Sequence, residues 1–157
     1  TTVFLIPDRI YLDHAATTPL RPEAKAAMEE GFRLWANPSS PHAEGRRAKA
    51  ALEDARARVK AALGWEGELI FTSGASEALW IALNRAKASR AKVTQRIVSA
   101  VEHDAVFRAA PDAAVFADDV PLDAETILAV QHVNSETGVI NPVSDLAATV
   151  RENGALV

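Results

Sequence analysis

Phe71-Thr72-Ser73-Gly74-Ala75-Ser76-Glu77-Ala78 is the stretch on which the reading of this chain turns. It follows an apolar run, Leu69, Ile70 and Phe71, that reads as a short buried strand. It leads into Ala78, Leu79, Ala82, Leu83 and Ala86, whose spacing is that of one face of a helix. A strand, a tight Ser/Gly/Ala turn and a helix N-terminus make an anion site. The first helical N–H groups lack intrahelical partners, and the helix dipole favours negative charge there. Gly74 lets the backbone come close and Ser76 adds a hydroxyl donor, which is what a phosphate needs. Taken alone, the same residues also serve as plain turn and cap residues in many strand-to-helix turns.

Four further stretches accompany this one. They are Tyr11-Leu12-Asp13-His14-Ala15-Ala16-Thr17-Thr18-Pro19, Asn37-Pro38-Ser39-Ser40-Pro41-His42 with Gly45-Arg46, Glu102-His103, and His132-Val133-Asn134-Ser135-Glu136-Thr137-Gly138-Val139. With Thr72–Glu77 they resemble, in the same order, the signatures of the NifS-like cysteine desulfurases, within the class V aminotransferases. The resemblance covers essentially the whole chain. It implies an α/β fold, the large domain of a fold-type-I enzyme dependent on pyridoxal 5'-phosphate (PLP). That domain has a mostly parallel sheet with helices on both faces, and is incomplete in this chain. The resemblance also implies that the Ala75-Ser76 turn holds the cofactor phosphate.

The 157 residues, 48% of them hydrophobic, can bury a substantial core. A formal charge of −4 gives no electrostatic case for nucleic acid or an anionic membrane. Arg46, Arg47 and Lys49 are interleaved with Glu44, Glu53 and Asp54, and the Asp54–Arg58 spacing is that of an i,i+4 pair, so this reads as a solvated helix face. No stretch is long and apolar enough to span a bilayer, and no signal peptide is evident. The chain has no cysteine, which excludes disulfides and thiolate metal sites within it and makes a cytoplasmic location the default. Its four histidines show no spacing that would bind a metal.

Helices come first, then alternating strands and helices. A helix is predicted over Pro22–Trp35 with Ala24, Met28, Gly31/Phe32 and Trp35 on a core face. A longer one is predicted from about Pro41 to Leu63, with Ser40 as N-cap, Gly64 as its stop, and Ala48, Leu52, Ala55, Val59 and Leu63 as its buried stripe. Strands are expected at 68–72, 96–101, 113–117 and 127–133, with a polar connection over Ala88–Gln95. Such strands alternating with helices argue for a parallel sheet covered on both faces. Asn141-Pro142 opens a last helix, Asn153-Gly154 closes it, and Ala155-Leu156-Val157 reads as the start of another strand. Residues 1–20 are expected to line the active site, and 21–157 to form the first part of the large domain.

His103 follows a predicted strand and precedes Asp104, a plausible N-cap; on position alone it is a loop histidine. The resemblance places the matching histidine against the pyridine ring as a candidate proton carrier, a role suited to imidazole. Asn134 and Ser135 should sit at the carboxyl end of strand 127–133, where open α/β sheets bind ligands. By resemblance one of them reaches the cofactor's phenolic oxygen region, where the family usually has two asparagines. The alternative is a polar turn before Gly138. Trp80 replaces the family's usual Asn, and His132 reads as a core histidine. His42 reads as part of a structural helix start, and His14, Ala15, Ala16 and Thr17 as an active-site wall.

The candidate set is therefore Gly74, Ala75, Ser76, His103, Asn134 and Ser135 for the cofactor, with His103 catalytic. The implied reaction takes sulfur from L-cysteine as a persulfide on a catalytic cysteine, leaving alanine. By resemblance that cysteine and the Schiff-base lysine lie further along, since none of Lys25, Lys49, Lys60, Lys87 and Lys92 follows a histidine. The chain thus reads as the N-terminal part of a longer homodimeric enzyme that passes sulfur to an acceptor protein. Three alternatives are a selenocysteine lyase or aminotransferase of the same class, a non-catalytic interaction module, and an unrelated nucleotide-binding domain. The last is disfavoured by the absence of G-x-G-x-x-G and P-loop motifs.

Overall fold

In the computed structural model, residues 10–86, 92–117 and 120–157 are described, and they divide between two units, Thr1–Ile70 and Phe71–Val157. The polar connection read over Ala88–Gln95 lies in part outside the described residues.

The first unit carries α1 (Pro22–Phe32) and α2 (Ala43–Leu63). Pro22 at the first helical position of α1 suits a residue without a backbone N–H. Helix α2 begins two residues later than Ser40 would place it. Its N-cap is His42, whose Nδ1 accepts the Gly45 N–H at 3.2 Å, while Ser40 lies outside the helix. It ends as expected at Gly64, whose φ of 61° is open to glycine at little cost, and the Trp65 N–H returns to the Lys60 carbonyl at 2.9 Å. The Arg58–Asp54 pair forms at 3.8 Å, and Arg56 pairs with Glu53. Apart from Ala48, the anticipated apolar stripes are not buried in this chain. Helix α1 buries no residue, and Met28, Phe32, Trp35, Leu52, Val59 and Leu63 are all exposed; α2 buries Gly45 and Ala48. Periodicity reports which side is apolar, but burial needs a covering partner.

The second unit carries α3 (Ala75–Arg85), β1 (Gln95–Val98), α4 (Asp104–Ala109), β2 (Ala114–Val115), β3 (Thr126–Ala129) and α5 (Val143–Glu152). The strands pair in parallel in the order β2-β1-β3, with Ile97 opposite Ala114 and Leu128. Leu156 forms a further parallel bridge to Ile127, at the place where another strand was anticipated. Alternation along each strand sends successive side chains to opposite faces. Val98 and Ile127 meet Leu83, Val106 and Ala109 of α3 and α4 on one face, while Ile97 and Leu128 meet Val150 of α5 and Ala155 on the other. Ile97, Val98, Leu128 and Val150 are each at most 2% exposed. This is the predicted parallel sheet with helices on both faces.

Two expectations about strands are corrected. The run 68–72 forms no strand; the Leu69 carbonyl instead accepts from Arg56 Nε at 2.8 Å. Strand β3 stops at Ala129 rather than reaching His132, which is exposed and outside the core; Val133 pairs with Ile140 in an antiparallel bridge instead.

Candidate active site

The chain leaves β1 towards β2 by way of α4, and leaves β3 in the opposite direction, towards Leu156, by way of α5. Between the carboxyl ends of β1 and β3 the connections therefore diverge. Such a switch point opens the crevice in which α/β sheets bind ligands. Glu102 and His103 lie just past β1, and Gln131 to Asn134 just past β3, so sequence order and topology bring both motifs to one sheet edge.

The N-cap of α4 is His103 itself, one residue before the anticipated Asp104: Nδ1 accepts the Ala105 N–H at 3.0 Å. With Nδ1 accepting, the neutral ring carries its proton on Nε2 and presents an N–H donor there. Asp104 falls in the first turn and pairs with Arg108 at 3.1 Å. Asn134 is buried, and its Oδ1 accepts the N–H groups of Glu136 at 2.8 Å and Thr137 at 3.0 Å, an Asx turn ahead of Gly138. Its Nδ2 and the hydroxyl of exposed Ser135 make no hydrogen bond among the described residues, so these are the groups left to meet a ligand.

The stretch that opened the sequence reading forms the N-terminus of α3. Thr72 Oγ1 donates to the Gly74 carbonyl at 3.1 Å, and Ser73 N–H donates to Glu77 Oε2 at 2.6 Å. That backbone donor holds the Glu77 carboxyl below its ordinary value. Gly74 is extended (φ 168°), a conformation open to any residue, and a Cβ built there would meet nothing within 4 Å. The protein itself therefore does not require glycine at this point. The helix has no side-chain cap, and Gly74, Ala75 and Ser76 are exposed. Open space over Gly74, free first-turn N–H groups and a nearby hydroxyl fit a phosphate monoester. Helices α3 and α4 pack together, and Ser76, Trp80, Ala105, Arg108 and Ala109 line one cavity of about 180 Å³. Trp80 is half exposed there, with the Arg85 guanidinium 5.2 Å from its ring centroid.

The sequence matches a family model over residues 10–125, described as aminotransferase class-V. The chain belongs to the class-V aminotransferase family. Among its relatives, cysteine desulfurase IscS of Dictyoglomus turgidum is 36% identical, over 91% of this chain and 42% of that protein. A cysteine desulfurase of Cereibacter sphaeroides is 34% identical over 95% and 44%, and a selenocysteine lyase of Xenopus tropicalis is 33% identical over 90% and 41%. A NifS-like protein from Rickettsia africae superposes with a TM-score of 0.76 at 26% identity, over 93% of this chain and 46% of that one. This class-V chain thus spans less than half the length of the curated relatives it matches.

The class-V motifs of the first unit are locally ordered. Tyr11 OH donates to the carbonyls of Asp13 and Thr17, at 2.8 and 2.9 Å, and its ring meets His14 edge-on at 5.1 Å. Gly45 is required by close approach, since a Cβ there would lie 2.3 Å from the Ser40 carbonyl oxygen. Among the described residues, no group of three or more His, Asp or Glu side chains is placed to hold a metal, and no helix is long and apolar enough to cross a membrane.

Three contributions were not read from the sequence: the hold of Glu77 on Ser73, the use of His103 as a cap, and hydrogen bonds from Ser99 and Gln131 to Glu102. The caps leave a local signal, a hydrogen-bonding side chain at a helix start. The Ser99–Glu102 contact is local, three residues apart, whereas the Gln131–Glu102 contact leaves no sequence signal, because it depends on β1 and β3 being neighbours.

Proposed function

We propose that this chain is the phosphate-binding and histidine-bearing part of a PLP-dependent cysteine desulfurase. The observation that carries the reading is one cavity shared by Ser76, at the start of α3, and Ala105, two residues after His103. The first-turn N–H groups of α3 and the Ser76 hydroxyl would bind the cofactor phosphate, with Gly74 leaving room for it. His103 would lie against the ring and hold a proton at Nε2; Asn134 Nδ2 or the Ser135 hydroxyl would meet the ring oxygen. When bound, PLP supplies the electron sink that stabilises negative charge on the substrate carbon.

The reaction moves the sulfur of L-cysteine onto a cysteine thiol of the enzyme, giving a persulfide and alanine, with the displaced proton ending on the alanine methyl group. Attack on sulfur needs a thiolate, and these 157 residues contain no cysteine, so in this reading that group would come from outside them. The exposed Met28, Phe32, Trp35 and Leu63 suit the interface of a homodimer. We assign the enzyme to the cytoplasm, with a sulfur-acceptor protein as partner and iron–sulfur cluster assembly as its use. The Xenopus tropicalis relative favours selenocysteine as a second substrate reading.

The test uses the full-length natural protein. Purified material should carry a visible chromophore that borohydride fixes to a lysine, and should release alanine from L-cysteine with sulfur retained on an enzyme cysteine. Release of alanine from selenocysteine alone would move the assignment to the lyase. Absence of a chromophore would remove the catalytic reading.

A further inference from the structure

The geometry points to Glu102 as the positioning residue of the crevice, a side-chain bridge that replaces the sheet ladder where β1 and β3 part. The last ladder bond at this edge runs from Ser99 N–H to the Ala129 carbonyl at 3.0 Å. Beyond it the chains diverge into the loops carrying His103 and Asn134, and the Gln131 N–H has no strand carbonyl to meet. Glu102 Oε1 accepts that N–H at 2.7 Å and, on the other lip, accepts the Ser99 hydroxyl at 2.6 Å. Gln131 answers with its own amide, which donates to the Val101 carbonyl. Two donors from opposite lips thus converge on one half-buried carboxylate oxygen.

The bridge extends into the second loop. Asn141 Nδ2 donates to the Gln131 carbonyl at 2.7 Å, and Asn141 N–H donates to the His132 carbonyl at 2.8 Å. Residues 131–141, which include Asn134 and Ser135, are therefore held at their base to the residue immediately before His103. Among the described residues Glu102 makes no ion pair, so its two acceptor contacts define what it does here. An acceptor oxygen at this point fixes the spacing between His103 and the Asn134 turn; a charge is not needed for that. The consequence for catalysis rests on the PLP reading above, whereas the bridge itself does not.

The experiment compares full-length wild type with E102A, E102Q and S99A. Amide hydrogen exchange at Gln131 reads the bridge directly. E102A should speed that exchange about 10–100-fold, as expected for leaving a half-buried N–H without its acceptor, while S99A, which removes one donor, should change it severalfold and keep the fold. E102Q retains an acceptor oxygen and should stay near wild type. In the cofactor-loaded protein, E102A should lower kcat more than it raises KM and shift the visible band, with E102Q restoring both. Unchanged Gln131 exchange in E102A would overturn the proposal, as would E102Q being as impaired as E102A in kcat. A protein that takes no cofactor would end the functional reading, and the exchange result would still decide the bridge.

Discussion

The two units hold their structure by different means. Helix α2 is secured locally, by the His42 cap, the Gly64 terminus and i,i+3 and i,i+4 ion pairs, and most of its apolar side is exposed. The β1–β3 sheet is secured by burial, with Ile97 and Leu128 closed off on one face and Val98 and Ile127 on the other. Local devices of this kind are worth about 1 kcal/mol each, whereas a buried aliphatic side chain is worth several times that. The difference explains where a site can be built. The paired and buried strands β1 and β3 lead directly into His103 and Gln131, while the first unit exposes an apolar surface.

The largest effect should come from the core. Ile97→Ala removes a fully buried side chain from the middle strand and should cost about 2–5 kcal/mol in denaturant unfolding of the full-length protein. A loss below 1 kcal/mol would break the contrast. Gly64→Ala places a Cβ at φ 61° and should cost about 1–2 kcal/mol. A cost matching that of Ile97→Ala would show that α2 is tied down by more than its ends.

The smallest effect concerns pH. The Glu77 carboxyl is held below 4.5 by the Ser73 N–H, so its contribution is complete above that value and is lost as pH falls through the lowered folded pKa. Wild type should therefore exceed Glu77→Gln in stability near neutrality, and the gap should narrow on acidification below about pH 4.5. A gap independent of pH would remove the carboxylate from the structure of the α3 entrance.

Much of this was legible in the sequence where the signal is local. Apolar runs marked strands at 96–101 and 127–133, which the structure forms over Gln95–Val98 and Thr126–Ala129, and Gly64 and Asn153-Gly154 marked helix ends, where one residue's conformational preference decides the stop. Both misplaced N-caps are histidines, His42 and His103, preferred over the neighbouring Ser40 and Asp104 because their Nδ1 atoms reach backbone N–H groups. Helical period revealed the apolar side of α1 and α2 without revealing what covers it. Asn134 was found by motif, yet its Oδ1 goes to the turn that was the alternative reading. The Glu102 bridge was out of reach, since it joins residues 29 positions apart.

The central claim is that the α3 entrance receives the cofactor phosphate, and Gly74→Val in the full-length protein tests it most directly. The extended backbone and the open space over Gly74 predict that this variant folds like wild type. They also predict that it binds PLP at least tenfold more weakly, because its side chain would fill the space a phosphate needs. A folded Gly74→Val protein that binds PLP as tightly as wild type would contradict the account.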